Sequence, residues 1–388
     1  MQKLIEIKPQ PRQQSFAEFK NNLSNKNKNN DENYKRILNV YNLNIKNLND
    51  NDKEIINKIL NSYKKNEKFA QGDFILSKQE INEFNEQENK NILRYLIYRY
   101  KYNIFPIIKK VEDYPPNIQI EITSICNLRC VMCYQSDKTF SNKSKGFMGH
   151  MKFDLFKKII DEIEGKIEAV TFASRGEPTL YKDLDKCLQY CEGKFLGLKL
   201  NTNATMLNEK LIHNLLSSDL QTLVLSIDEK DKENYEKIRV NAKFHKIMKN
   251  LEELANIKQK SYKKSKIKIR ISGVKINNSQ NIEEMNNFYR KFADEVALVN
   301  YNPWQSAYDN PINDLKDPCS ELFRRLFVWW DGKVNPCDYD YKSTLSKWNA
   351  KFLSIKEIWN SEYYNNLRNL HLNQKRKQIN PCNKCLAI

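Results

Sequence analysis

The stretch IQIEITSICNLRCVMC, residues 118–133, runs from a strand-like segment directly into three cysteines, Cys126, Cys130 and Cys133. IQIEIT (118–123) reads as a β-strand, and the loop behind it spaces its thiols by three residues and then two. A loop that short can wrap a metal cluster and present one thiolate to each of three irons. Iron–sulfur clusters are normally held by four thiolates, so a set of three leaves one iron open to a small molecule. A tetrahedral zinc site with a distant fourth ligand is the competing reading.

Working outward, short apolar strands alternate with amphipathic helices. Strands are expected at 118–123, 168–174, 196–202, 222–228, 267–274 and 295–301, and helices at 153–164, 183–192, 208–217, 244–257 and 282–292. Six strands joined by helices argue for parallel crossover units. A six-stranded open barrel and an open doubly wound sheet both fit, and in barrels the chemistry gathers at the C-terminal strand ends. Ser174-Arg175-Gly176-Glu177-Pro178 follows the second strand, Asn201-Thr202-Asn203 ends the third, and Ser226 and Asp228 end the fourth.

This order of motifs resembles the radical S-adenosylmethionine (radical SAM) superfamily. The resemblance covers about residues 115–305 and implies an α/β fold, a partial (β/α)6 barrel. It also implies SAM and a [4Fe-4S] cluster with one open iron, held by Cys126, Cys130 and Cys133. Gly176, Glu177 and Pro178 are similar to the family's Gly-Gly-Glu-Pro segment, which holds the SAM amino group; Arg175 stands where the family has its first Gly. Asn203, Ser226 and Arg239 inherit SAM contacts from the resemblance. Met132 occupies the family's aromatic position near the adenine, with Tyr134 as a substitute. The implied chemistry is reductive cleavage of SAM to methionine and a 5′-deoxyadenosyl radical, which takes hydrogen from a substrate.

Four further cysteines, Cys319, Cys337, Cys382 and Cys385, suit a closed zinc site or a four-cysteine cluster. Their spacing resembles the twitch domain, a shortened SPASM domain, and so implies one auxiliary [4Fe-4S] cluster. Asp338, Tyr339 and Asp340 follow Cys337 and are candidate proton acceptors; Arg324 and Arg325 are candidates for an anionic substrate group. Cys187 and Cys191 on one helix read as packing residues. His150, His213, His245 and His371 lack ligand spacing and read as structural.

The expected organisation is a polar, Asn-rich segment over 1–52, partly flexible around 22–33, and a helical extension over 53–114. A barrel core over 115–310 and a small twitch/SPASM-like domain over 311–388 follow. Helical periodicity begins near Lys53, and Ser77-x-x-Glu80 is a capping-box pattern. Tyr95, Tyr98 and Tyr102 sit beside basic residues and are expected to pack against the barrel, with a substrate or polyanion surface as the alternative. The N-terminal MQKLIEIKPQPRQQ has no uninterrupted apolar core, and Arg94, Arg99 and Lys101 interrupt the most apolar stretch, 91–108. A cytoplasmic protein without a membrane span is expected, in which cysteines serve metals more than disulfides.

The net charge of +17 is shared almost equally by residues 1–110 and 111–388. An even spread argues for a basic surface over a dedicated nucleic-acid face. An RNA-binding or RNA-modifying iron–sulfur protein is the alternative of another class, marked by steep salt dependence. For a radical SAM enzyme the sequence favours oxidation or epimerisation of a carbohydrate or nucleotide sugar, with a peptide-modifying maturase as the alternative. A reducing donor such as flavodoxin or ferredoxin is the expected partner.

Overall fold

The structure is a computed structural model and describes residues 4–9, 30–64 and 73–388. Its framework is a nine-stranded sheet in the order β6-β5-β4-β3-β2-β1-β7-β8-β9. β1 (Asn117–Ile120), β2 (Ala169–Phe172), β3 (Gly197–Thr202), β4 (Thr222–Ser226), β5 (Lys268–Lys275) and β6 (Glu295–Asn300) are all parallel. The sheet has two free edges, β6 and β9, so the barrel is partial, as expected.

Strand alternation sorts the side chains. Ile118, Ile120, Val170, Phe172, Leu198, Leu200, Leu223, Leu225, Ile269 and Ile271 belong to the main apolar core. That core includes Phe156, Ile160, Leu188, Ile212, Leu251 and Leu254 of the crossover helices, together with Cys187 and Cys191. The intervening positions, among them Gln119, Thr171, Lys199, Asn201 and Ser272, line the barrel interior. The inside mixes these polar groups with apolar ones such as Val224 and Leu298, and its volume is available to a ligand.

The C-terminal region extends this sheet. β7 (Arg325–Val328) pairs in parallel with the free side of β1, and β8 (Lys333–Asn335) and β9 (Trp348–Asn349) add antiparallel strands. Residues 326–337 thus form a hairpin whose first strand is also paired with the barrel. Helices Ile355–Trp359 and Glu362–Leu372 follow.

The N-terminal helices form a second core through Ile37, Ile56, Ile59, Phe84, Ile92 and Leu96. Helix formation starts earlier than periodicity near Lys53 indicates, because Asn30–Asn44 is already helical. Its Ile37, Val40 and Tyr41 are buried, and their packing overrides the poor helix propensity of asparagine. The Asn-rich stretch 22–29 lies outside the described residues. The Ser77 capping box is present: Ser77 N donates to Glu80 Oε2 at 2.8 Å and Glu80 N to Ser77 Oγ at 3.3 Å. Helix Asn89–Ile108 docks on the barrel through Arg94, whose Nε and Nη2 donate to Glu168 at 2.8 and 2.9 Å. Among the described residues no helix is long and apolar enough to cross a membrane.

Candidate active site

Two neighbours clamp the cysteine loop. Arg129 N and Val131 N donate to Val240 O and Ile238 O at 3.0 and 3.1 Å, and Glu177 N donates to Ile125 O at 2.9 Å. Gly176 presses against the same loop: a Cβ there would lie 2.2 Å from Thr123 O. Held this way, Cys126, Cys130 and Cys133 all line one cavity of about 370 Å³. Burial pushes the three thiols up, Cys133 to about 12. Buried thiols of this kind stay protonated until a cationic metal centre makes the thiolate favourable. Donors for such thiolates are in place. Leu128 N lies 3.4 Å from Cys126 Sγ, Gln135 N 3.5 Å from Cys133 Sγ, and Arg239 Nη1 3.7 Å from Cys130 Sγ. Among the described residues no three His, Cys, Asp or Glu side chains converge on a single metal ion.

The neighbouring strand ends bring further expected residues to this cavity. Met132, Tyr134, Gly176, Glu177, Asn203, Ser226 and Arg239 line it, while Pro178 is buried and opens the turn Pro178–Leu180. Glu177 Oε1 accepts from Thr179 N, Thr179 Oγ1 and Thr202 Oγ1 at 3.1, 2.6 and 2.6 Å, and Oε2 accepts from Asn203 N at 2.6 Å. A carboxylate offers about four acceptor sites, so Oε2 retains capacity for one more donor. Burial still pushes the Glu177 carboxyl up despite these bonds. Asn203 Nδ2 donates to Asn127 Oδ1 at 2.9 Å and ties the third strand to the cysteine loop. Tyr134 Oη donates to Ser174 O at 2.6 Å. Arg239 Nε and Nη2 both donate to Asp228, the latter at 3.0 Å, so its third nitrogen is left to face Cys130.

Arg175, the departure from the family pattern, is a buried tie. Its Nε and Nη2 donate to the Glu121 carboxylate at 2.7 and 2.6 Å, and Nη1 donates to Tyr341 O at 2.8 Å. The guanidinium lies 4.2 Å from the Trp329 ring centre.

At the far end, near the strand beginnings, Tyr102, Lys199, Arg325 and Asp338 close the cavity. Of the three tyrosines expected to pack, Tyr95 and Tyr98 are buried in the N-terminal core, while Tyr102 reaches the barrel interior. Sequence reasoning preferred packing to a substrate surface for Tyr102, and it missed Lys199. Lys199 had one available signal, a charged residue at an inward-facing strand position.

Cys319, Cys337, Cys382 and Cys385 line a second, smaller cavity together with His371 and Arg376. Arg376 is buried and donates to Cys382 O and Cys385 O at 3.0 and 2.5 Å, which places a cation beside four potential thiolates. The donor set fits a four-thiolate cluster. The three residues after Cys337 diverge. Asp338 faces the large cavity, its Oδ1 is buried without a hydrogen-bond partner, and burial raises its carboxyl to about 6 against the pull of Arg325. Tyr339 turns to the cysteine cavity, its hydroxyl donating to Lys384 O at 3.0 Å and accepting from Asn310 Nδ2 at 2.8 Å. Asp340 is fully buried and accepts from Thr344 N, Thr344 Oγ1, Leu345 N and Tyr308 Oη at 2.7–3.0 Å. Its oxygens hold a turn together and do not reach the large cavity, because the backbone after Cys337 curls back under the hairpin. Of the three expected acceptors only Asp338 lines the large cavity.

Comparison with known proteins agrees with this geometry. Residues 120–289 match the radical SAM superfamily and residues 319–386 an iron–sulfur cluster-binding SPASM domain. The Methanocaldococcus jannaschii protein MJ0804 is 27% identical over 213 residues, 54% of this chain and 66% of that protein. Mycofactocin maturase MftC of Mycolicibacterium smegmatis is 24% identical over 236 residues, 58% of this chain and 56% of MftC. The matches thus span between half and two thirds of these relatives. In fold, the chain is similar to Streptococcus suis SuiB bound to the precursor peptide SuiA. That match has a TM-score of 0.53 and 16% identity, over 81% of this chain and 78% of SuiB. The cofactors that go with these two domains are SAM, a [4Fe-4S] cluster and auxiliary iron–sulfur clustering. The chain carries a radical SAM domain over residues 120–289 and an iron–sulfur cluster-binding SPASM domain over residues 319–386.

Proposed function

We propose that this protein is a radical SAM enzyme that acts on a peptide side chain. The observation that carries the reading is one continuous cavity. Three clamped thiols and Glu177 line it together with Lys199, Arg325 and Asp338. Cys126, Cys130 and Cys133 hold the cluster with the open iron. Glu177 Oε2 takes the SAM ammonium, Asn203 and Ser226 flank the rest of the amino acid, and Met132 and Tyr134 border the adenine. Arg239 serves this site by donating toward Cys130. When bound, cluster and SAM supply one-electron cleavage of the sulfonium and hydrogen-atom abstraction from an unactivated C–H bond. The barrel excludes water from that step. Cys319, Cys337, Cys382 and Cys385 hold the auxiliary cluster, and Asp338, next in chain to Cys337, offers Oδ1 as acceptor for a substrate proton.

The peptide reading displaces the carbohydrate preference drawn from the sequence. A maturase stands among the sequence relatives, and a protein captured with a precursor peptide shares the fold.

Anaerobic reconstitution followed by iron and zinc analysis tests the metal assignment. Wild type should hold about eight irons and Cys126→Ala/Cys130→Ala/Cys133→Ala about four. Reduced wild type should convert SAM to 5′-deoxyadenosine, and deuterium from a labelled peptide should appear in it. No SAM cleavage would overturn the assignment. Zinc in the C-terminal site would remove the auxiliary cluster. Label transfer from sugars and from no peptide would reinstate the carbohydrate reading.

A further inference from the structure

The deep end of the cavity gathers positive charge from three parts of the chain. Lys199 points inward from β3, opposite Thr171 and Thr222 in register. Arg325 opens β7 beside Asn117 of β1. Tyr102 enters from helix Asn89–Ile108, and Arg325 Nη2 donates to its hydroxyl at 3.1 Å. Arg324 lies 5.4 Å from the Tyr102 ring centre. One carboxylate serves both arginines: Glu321 is 2.7 Å from Arg324 and 3.3 Å from Arg325.

The titration of the group reflects this crowding. Burial, then the like charges of Arg325, Arg270 and Arg99, hold Lys199 down to about 8. Burial alone would raise the Tyr102 phenol, yet Arg325, Arg324 and Lys199 outweigh it and bring it to about 8. Lys199, Arg324 and Arg325 thus gather beside two carboxylates, Glu321 and Asp338, so cations outnumber anions at this end of the cavity. On the wall above, Asn201 Oδ1 and Asp338 Oδ1 are buried acceptors without hydrogen-bond partners. A ligand that satisfies this set brings an anion to the floor and a hydrogen-bond donor to the wall.

We propose that Lys199, Arg325 and Tyr102 form an anion-binding floor that takes a carboxylate or phosphate carried by the substrate group entering the barrel. Lys199 supplies a point charge and Arg325 a planar pair of donors. The placement rests on the radical SAM reading, which puts substrate between SAM and this floor. It also gives the N-terminal helices a part in the site, since one of them supplies Tyr102. For a peptide, the carboxylate is an acidic side chain or a chain end, and the phosphate a phosphorylated residue.

The test uses cluster-loaded, SAM-bound enzyme with malonate and inorganic phosphate as probes, malonamide as neutral control, and sodium chloride to match ionic strength. Calorimetry reads binding, and mass spectrometry reads acetylation of Lys199. Either anion, but not malonamide, is expected to bind and to protect Lys199. The tighter of the two identifies carboxylate or phosphate as the preferred group. Lys199→Met should weaken binding about tenfold or more, the loss of one charge-assisted hydrogen bond, and Lys199→Arg should retain most of it. Absence of binding above chloride, unchanged acetylation in wild type, or undiminished affinity in a folded Lys199→Met overturns the floor. The acetylation arm needs no variant to fold. SAM cleavage in the same samples separates the two ideas: cleavage without anion binding removes the floor alone, whereas no cleavage removes the enzyme assignment.

Discussion

Gly176 is where one added carbon would disturb most. Its neighbours are backbone atoms of the cysteine loop, which cannot swing away as a side chain end can. Gly176→Ala is expected to cost about 1–3 kcal/mol of stability and to weaken SAM binding, measured by urea denaturation and calorimetry. His371 carries a second prediction. Cys319 N donates to its Nδ1 at 3.3 Å, so the ring proton sits on Nε2, which is buried without a partner in the wall of the four-cysteine cavity. That N–H is placed to donate to the auxiliary cluster or its thiolates, and donors there stabilise the reduced form. His371→Phe should keep its iron and shift the midpoint potential of that cluster to more negative values in a redox titration. An unchanged potential would show that the imidazole only fills space. The cysteines stood out by their spacing, and Glu177 through the resemblance of Gly176-Glu177-Pro178 to a family segment. His371 was not, because its ligand-facing nitrogen depends on a contact 52 residues away in the chain.

At the scale of elements, the ends of β1 and β2 are joined by the Glu121–Arg175 pair, with both side chains nearly fully buried. Removing one member strands the other. Arg175→Leu is expected to cost about 3–5 kcal/mol in chemical denaturation, and Arg175→Leu/Glu121→Leu to recover much of that loss. If the double variant were no more stable than the single, the charges would not be acting as a pair. In the sequence, Arg175 stood out only as a departure from a glycine; its partner became visible once β2 lay beside β1 and Trp329 beneath the guanidinium. Strand positions themselves were readable from alternation, and all six barrel strands fall within the expected stretches to about a residue. The helix Asn30–Asn44 was hidden by its asparagines and revealed by packing.

At the scale of the whole molecule, the cavity floor is assembled from the N-terminal helices, the barrel and the C-terminal strand. Its pH dependence follows from the shifts in Lys199 and Tyr102. Both groups lose their protons at lower pH in the folded protein than their ordinary values of 10.5 and 10.0. The unfolded chain therefore binds more protons between about pH 8 and 10, and stability contributed by these groups rises with pH across that window. Thermal unfolding of wild type and Lys199→Met should show the wild type gaining relative to the variant from about pH 8 to about 10. A constant difference would mean that Lys199 titrates normally. The floor also shows why the C-terminal region is more than an appendage. Because β7 pairs with β1, Arg325 and Asp338 enter the barrel's own cavity.

The sequence by itself determined the chemistry available. Three thiols on one short loop, glycine and carboxylate at the next strand end, and four later cysteines are local patterns whose spacing limits what they can bind. Alternating apolar strands and amphipathic helices likewise dictated a parallel, helix-covered sheet. Tertiary structure decided which groups share a space. It turned Asp338 toward the ligand cavity and Asp340 away from it, set Tyr102, edge-on to Tyr98, at the cavity wall, and brought Lys199 and Arg325 to one floor. The reason is physical. Burial and electrostatic neighbours are set by strand register and long-range packing, and neither is encoded in the residues adjacent along the chain.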